Sequence, residues 1–157
     1  MKIKSILITT LLAGSLDITA ACISAYIVNG ATPGRVLKYI ASGAFGKSAF
    51  NGGYDMIAWG LLFHYIIAFS CTAVFFWFYP RLKFLSKNIF LNSILIALVA
   101  WAVTTLVVMP LSELPPAHFT VAGVARAIIV LIFCIGLPIS WMARKYYRHN
   151  SNRVQLP

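Results

Sequence analysis

Apolar residues run almost unbroken through four stretches of the chain, at residues 5–28, 56–79, 89–109 and 119–142, and polar residues gather between them. Each stretch reaches the ~20 residues that cross ~30 Å of hydrocarbon at ~1.5 Å per residue, so each predicts a transmembrane helix. A different pattern occupies the link between the first two. There Val36, Leu37, Ile40, Ala41, Ala44 and Phe45 recur at helical spacing, with Arg35, Lys38 and Lys47 off that face. This predicts a short amphipathic helix over about residues 34–50, lying on the outer membrane surface with its basic residues toward headgroups. Asn29-Gly30 and Pro33-Gly34 signal turns before it, and Gly43, Gly46, Gly52 and Gly53 leave a bent or re-entrant form open. The expected fold is therefore all-α: a four-transmembrane-helix bundle with an additional interfacial amphipathic helix between helices one and two. Residues 1–149 read as a single integral membrane domain, and the polar residues 150–157 as a disordered tail. Pro138 predicts a kink near the end of helix four.

Composition agrees with that pattern. Of 157 residues, 61% are hydrophobic and 10% charged, far from the average soluble domain. A net charge of +10 invites a nucleic-acid reading, but the placement of the charges excludes it. Lys2, Lys4, Arg81, Lys83, Lys87, Arg144, Lys145, Arg148 and Arg153 all fall on one side of the predicted membrane. Only Arg35, Lys38 and Lys47 fall in the links on the other. The positive-inside rule then puts both termini in the cytoplasm, with anionic lipid headgroups as the natural counter-charge. The N-terminus has the basic start and apolar run of a secretory signal, and residues 19–22 resemble a weak lipoprotein cleavage box. Asp17 interrupts the run and apolar character continues to Val28, so a retained helix is expected. Cys22, Cys71 and Cys134 fall in separate helices without paired spacing, and read as small apolar contacts.

Chemistry rests on few residues. The chain has three acidic side chains, and Asp17 lies inside the first apolar run; Arg126 lies inside the last and His64 inside the second. A charge within hydrocarbon costs a few kcal/mol unless it pairs or faces water, which makes each a functional-site candidate. Helix one carries Thr10, Gly14, Asp17, Ala21 and Ser24 at spacings of three or four, one small and polar face suited to close helix approach. Depth along the helices allows Asp17 and Arg126 to pair with His64 nearby. Asp55, Glu113 and His118 fall above them, so all six could line one outward-facing polar cleft. Two readings compete. In one, Asp17 and Arg126 form a neutralising clip between helices one and four with His64 hydrogen-bonded nearby, or, as a variant, Arg126 snorkels upward to Glu113 or the headgroups. In the other, the cleft binds an anion, a lipid headgroup or a proton.

Other chemistry fits poorly. Residues 41–48 match a loosened phosphate-loop pattern with Ala in place of the first Gly, but helical periodicity precedes it where a strand is needed. A haem held by His64 and His118 fails on depth, and a metal held by Asp55, Glu113 and His118 needs three segments to converge. No elbow motif supports a hydrolase. No metal, cofactor or catalytic residue is expected.

The run from Gly14 to Asp17, the segment VLKYIASGAFGKSAFNGG over residues 36–53, His64, and Met109-Pro110-Leu111-Ser112 resemble the YagU-like group of small bacterial inner-membrane proteins. The chain is shorter than typical members. The resemblance implies a four-helix protein of the bacterial inner membrane and brings no catalytic or binding residues with it. The expected function is non-enzymatic: a small binding or transport-related component using the polar cleft. The alternative is a structural or assembly partner of other membrane proteins, with a membrane-embedded lipid enzyme third. Membrane lipids are the expected partners, and glycine-bearing helix faces are compatible with a homodimer or a membrane-protein partner.

Overall fold

A computed structural model describes residues 2–82, 85, 88–109 and 120–154. These form α1 (Lys2–Asn29), α2 (Pro33–Phe45), α3 (Tyr54–Phe78), α4 (Ile89–Val103), α5 (Val121–Leu131) and α6 (Leu137–Val154), with no strand among the described residues. A 3₁₀ turn, Gly46–Phe50, follows α2. A π turn, Thr104–Val108, extends α4, and another, Ile132–Gly136, joins α5 to α6. Four stretches are long and apolar enough to cross a membrane: Ile3–Asn29, Tyr54–Phe78, Ile89–Leu106 and Val121–Arg148. The all-α bundle expected from the four apolar runs is thus the fold observed.

Side chains at the helix starts satisfy backbone donors that have no partner inside the helix. Thr32 accepts from Arg35 N–H at the start of α2, and Pro33 occupies the first turn, where its missing donor costs nothing. Asn88 accepts from the N–H groups of Phe90 and Leu91, and Thr120 from that of Gly123.

The perturbation expected at Pro138 takes the form of a π turn just before it. Pro138 has no N–H, and its ring crowds the carbonyl four residues earlier. The helix widens just before it, with Leu137 N–H reaching back five residues to the Ile132 carbonyl. The helix then continues to Val154, past residue 142, and residues 150–154 are helical where a disordered tail was expected. Loss of hydropathy ended the predicted span, but no Gly or Pro follows Pro138 before Val154 to end the helix itself.

The helices are apolar outward and small inward. Leu11 (59%), Ile66 (51%), Val99 (53%) and Phe133 (57%) are more than half exposed, whereas Ala13, Ala97 and Ala143 are completely buried. In water that arrangement would be unstable. In lipid it is the expected one, because helices there associate by close contact of small residues and gain nothing by hiding Leu from acyl chains. Three buried hydroxyls are satisfied within their own helices, Thr9 on Ser5 O at 2.7 Å, Thr72 on Ala68 O at 2.8 Å and Ser93 on Ile89 O at 2.8 Å, whereas Thr10 Oγ1 and Ser140 Oγ have no partner among the described residues. The chain is built as a polytopic integral membrane protein.

α1 is central, with α3 on one flank and the α5–α6 span on the other; α4 packs against that span and not substantially against α3. The end carrying both termini is closed. Phe76 and Ile139 are fully buried there, Tyr147 donates to Phe76 O at 2.6 Å, and the rings of Tyr79 and Tyr147 stack at 5.2 Å. At the opposite end α5 diverges from α1.

α2 leans along the first half of α3. Gly34 faces Ile57, Leu37 lies over Gly60, and Phe45 meets Trp59 and Phe63 with ring centroids 5.7 and 6.0 Å away. Its last residue therefore stands level with Phe63, nine residues into α3, which is the bent alternative to a helix lying flat. The chain reverses at Gly46, whose φ of 60° and ψ of −153° belong to a region essentially reserved for glycine. Gly46 is also buried. Gly46→Ala is expected to cost ~1–3 kcal/mol, read as a lowered midpoint of thermal unfolding in detergent by the fluorescence of Trp59.

Candidate functional site

The divergence of α5 from α1 leaves a cavity of about 780 Å³, bounded by α1, α2, α3, α4 and α5. The small and polar face of α1 produces it. Near the closed end this face is in tight contact: Thr10 is buried, and Gly14 lies against Tyr65 and Ala68 of α3. About one, two and three turns further on, the same face opens, and Asp17, Ala21 and Ser24 line the cavity. The stripe reads as one contact surface in the sequence; the structure divides it into a contact half and a cavity half.

Asp17, His64 and Arg126 all line this cavity, on α1, α3 and α5. His64 is held by α1: its Nε2 lies 2.9 Å from the Gly14 carbonyl oxygen, which can only accept, so Nε2 carries the hydrogen. That fixes the imidazole one turn from Asp17, whose charge is within electrostatic reach. Next to it the Tyr65 hydroxyl and Ser15 Oγ are hydrogen-bonded at 2.7 Å, a second polar tie between α3 and α1. Sequence reasoning missed both residues; their signal is that each adjoins a residue already singled out, Tyr65 beside His64 and Ser15 beside Gly14.

The Asp17–Arg126 clip does not form. No ion pair joins them, and among the described residues neither the Asp17 carboxylate nor the Arg126 guanidinium has a hydrogen-bond partner. Arg126 is exposed, two turns into the fourth span, and Asp17 is half-buried. Two opposite charges thus face one mostly apolar cavity and remain unpaired. All three cysteines are free.

Asp55 is not brought to this cavity. Asp55 is exposed at the start of α3, where its Oδ1 accepts from Gly53 N–H at 2.8 Å. Its carboxylate fits there because it complements the exposed amide donors of the helix N-terminus. Glu113 and His118 lie outside the described residues. Residues 41–48, the loosened phosphate-loop pattern, fall on the end of α2 and the 3₁₀ turn, with Ala41 and Ser42 buried and Lys47 exposed. Among the described residues no three His, Cys, Asp or Glu side chains converge as metal ligands.

α2 supplies a wall that the sequence does not assign. Tyr39, Ile40, Gly43 and Ala44 line the cavity. Burial pushes the Tyr39 phenol above its ordinary range, so it faces the cavity as a neutral donor.

No family model, curated protein or solved structure matches the chain. Function is read from this geometry: a mostly apolar chamber, an exposed guanidinium on α5, and a carboxylate and an imidazole on α1 and α3.

Proposed function

We propose that this chain is a non-enzymatic binding protein for an amphiphile, whose apolar body fills the cavity and whose anionic group meets Arg126. The observation that supports this reading most is that Asp17 and Arg126 line one cavity, from α1 and α5, and neither has a partner among the described residues. An unpaired charge in a low-dielectric setting is costly, and an anionic ligand group recovers that cost at Arg126 by supplying the partner it lacks. Apolar walls with a few convergent polar groups are the usual make-up of a small-molecule site. A volume near 780 Å³ also lies in the range of ligand cavities.

The protein sits, in this proposal, in a bacterial inner membrane with both termini cytoplasmic. Nine basic residues at the end carrying the termini, against Arg35, Lys38 and Lys47 in the link at the other, support that orientation. The cavity then diverges toward the outer leaflet, where a lipid-derived amphiphile can enter sideways or a secreted one from above.

The test is binding of cis-parinaric acid, whose emission rises when it leaves water. Purified protein is expected to bind one equivalent, and Ala127→Trp, which fills the lining from α5, to bind none while eluting as the same folded species. Equal binding by both proteins would sink the proposal.

A second reading has its own support. The His64–Gly14 and Tyr65–Ser15 bonds tie α3 to α1, so part of the polar set holds helices together whatever the cavity does. In that reading the protein is a structural or assembly partner of other membrane proteins, and parinaric acid does not bind.

A further inference from the structure

A second concavity, of about 440 Å³, lies at the opposite end of the bundle, lined by Ile89, Trp141, Arg144, Lys145 and Arg148. The four α6 residues recur at intervals of three, four and seven, one face of the helix, and Ile89 opens α4 beside them. Arg144 is half-buried and the other three are exposed. Lys145 Nζ lies 5.3 Å from the Trp141 ring centroid, so the ammonium leans over the indole.

Among the described residues no carboxylate neutralises these cations: Asp17 lines the other cavity, and Asp55 caps the start of α3. Burial pushes the Tyr79 phenol above its ordinary range, an effect the nearby Arg144 and Arg148 guanidinium groups only partly offset. Tyr79 is buried and stacked on Tyr147, so it walls the site without adding charge. Arg81, also at this end, is differently engaged: it donates to Trp77 O at 2.6 Å and lies over the Trp77 ring at 4.0 Å. Three cations on one face thus remain for an outside anion.

Their depth selects the kind of anion. The apolar run of the fourth span gives out at about residue 142, so Trp141 falls at its edge, where indole rings prefer the headgroup boundary, and the three cations follow just beyond it. A free phosphate would need only the cations. A phospholipid uses the whole concavity, with its phosphodiester on the guanidinium groups and its acyl chain along Trp141 and Ile89. We infer that the face of Trp141, Arg144, Lys145 and Arg148 is a binding site for the phosphate headgroup of an anionic phospholipid. It is separate from the α1–α5 cavity and stands whether or not that cavity binds an amphiphile.

The test uses full-length protein carrying Trp59→Phe, Trp77→Phe and Trp101→Phe, which leaves Trp141 as the only tryptophan. It is reconstituted in phosphatidylcholine with a small fraction of brominated phosphatidylglycerol or brominated phosphatidylcholine. Brominated phosphatidylglycerol is expected to quench at about fivefold lower mole fraction, the attraction of a single cation for an anionic lipid being enough for that. Arg144→Gln with Arg148→Gln should bring the ratio of the two lipids to about one, while Arg81→Gln leaves it unchanged. If the double variant does not fold, competition on the parent protein decides. Unbrominated phosphatidylglycerol should restore the fluorescence, and neither phosphatidylcholine nor millimolar inorganic phosphate should. Equal quenching by both brominated lipids overturns the site, as does selectivity that survives the double substitution. Displacement by inorganic phosphate as effective as by phosphatidylglycerol overturns the lipid assignment.

Discussion

Gly136→Ala and Gly60→Ala are each expected to abolish most of the folded protein, although each adds one methyl group. A Cβ at Gly136 would stand 2.3 Å from the Ser93 carbonyl oxygen and 2.8 Å from its carbon. At Gly60 it would stand 1.9 Å from the Leu37 carbonyl oxygen. The obstructing atoms are backbone, so no rotamer change relieves them. In the first case α4 must move off the fourth span, and in the second α2 must lift from α3. Overpacking a close contact costs ~1–3 kcal/mol when side chains can shift, and more when they cannot, so ~3 kcal/mol or more is expected at both sites. Membrane helices have little to offset that loss, because their association rests on close contact. Gly34→Ala is the control: its Cβ meets only the end of the Ile57 side chain at 3.2 Å, which can rotate away. Size-exclusion profiles and thermal midpoints in detergent should separate the first two from the third. Three matching profiles would mean that these helix contacts are looser than drawn.

Those two glycines mark the boundary of what the sequence reveals. Four spans follow directly from hydropathy, because length and apolarity are one-dimensional properties. The amphipathic segment before α3 follows from periodicity. Which glycine lies under which backbone does not: Gly60 is one of ten in the chain, and nothing local distinguishes it from Gly53, which meets only Asp55 Oδ1 at 3.3 Å. The lean of α2 is illegible for the same reason, since it depends on the Leu37–Gly60 contact and on Phe45 finding Trp59 and Phe63. The prolines were legible as perturbations but not in form. Pro138 predicts a disturbance, and only the run of carbonyls before it decides that a π turn absorbs it.

The site was legible as a set of residue types and illegible as an arrangement. Asp17, His64 and Arg126 stand out because charge and imidazole are rare in apolar runs, and all three reach one cavity. Depth arithmetic allowed Asp17 and Arg126 to pair, but a helix count measures height and says nothing about separation across the bundle. The divergence of α5 from α1 sets that separation. Asp55 misled for a related reason: its height near the outer rim fits the cleft, while its carboxylate is occupied by the Gly53 amide.

Removing the two cavity charges is expected to separate folding from binding. Asp17→Asn takes a carboxylate out of a membrane helix, a placement that costs ~2.5–3.5 kcal/mol on insertion scales, so stability should hold or rise. Arg126 is exposed and unpaired among the described residues, so Arg126→Gln should leave the thermal midpoint nearly unchanged. With no contact between them, the two effects should add to within ~0.5 kcal/mol in the double variant. A neutralising clip predicts the reverse: each single change would cost ~3–5 kcal/mol by stranding the other charge, and the double would recover much of it. Binding should respond oppositely. A hydrogen bond to a charged group is worth ~1.5–3 kcal/mol, so Arg126→Gln should weaken cis-parinaric acid by about ten- to a hundredfold. Its methyl ester, which lacks the anion, should bind both proteins alike. Thermal midpoints of the four proteins and titration with the acid and the ester supply the check. A recovered double variant would assign Asp17 and Arg126 to helix assembly. Equal loss of acid and ester in Arg126→Gln would mean that the guanidinium shapes the cavity without meeting the carboxylate.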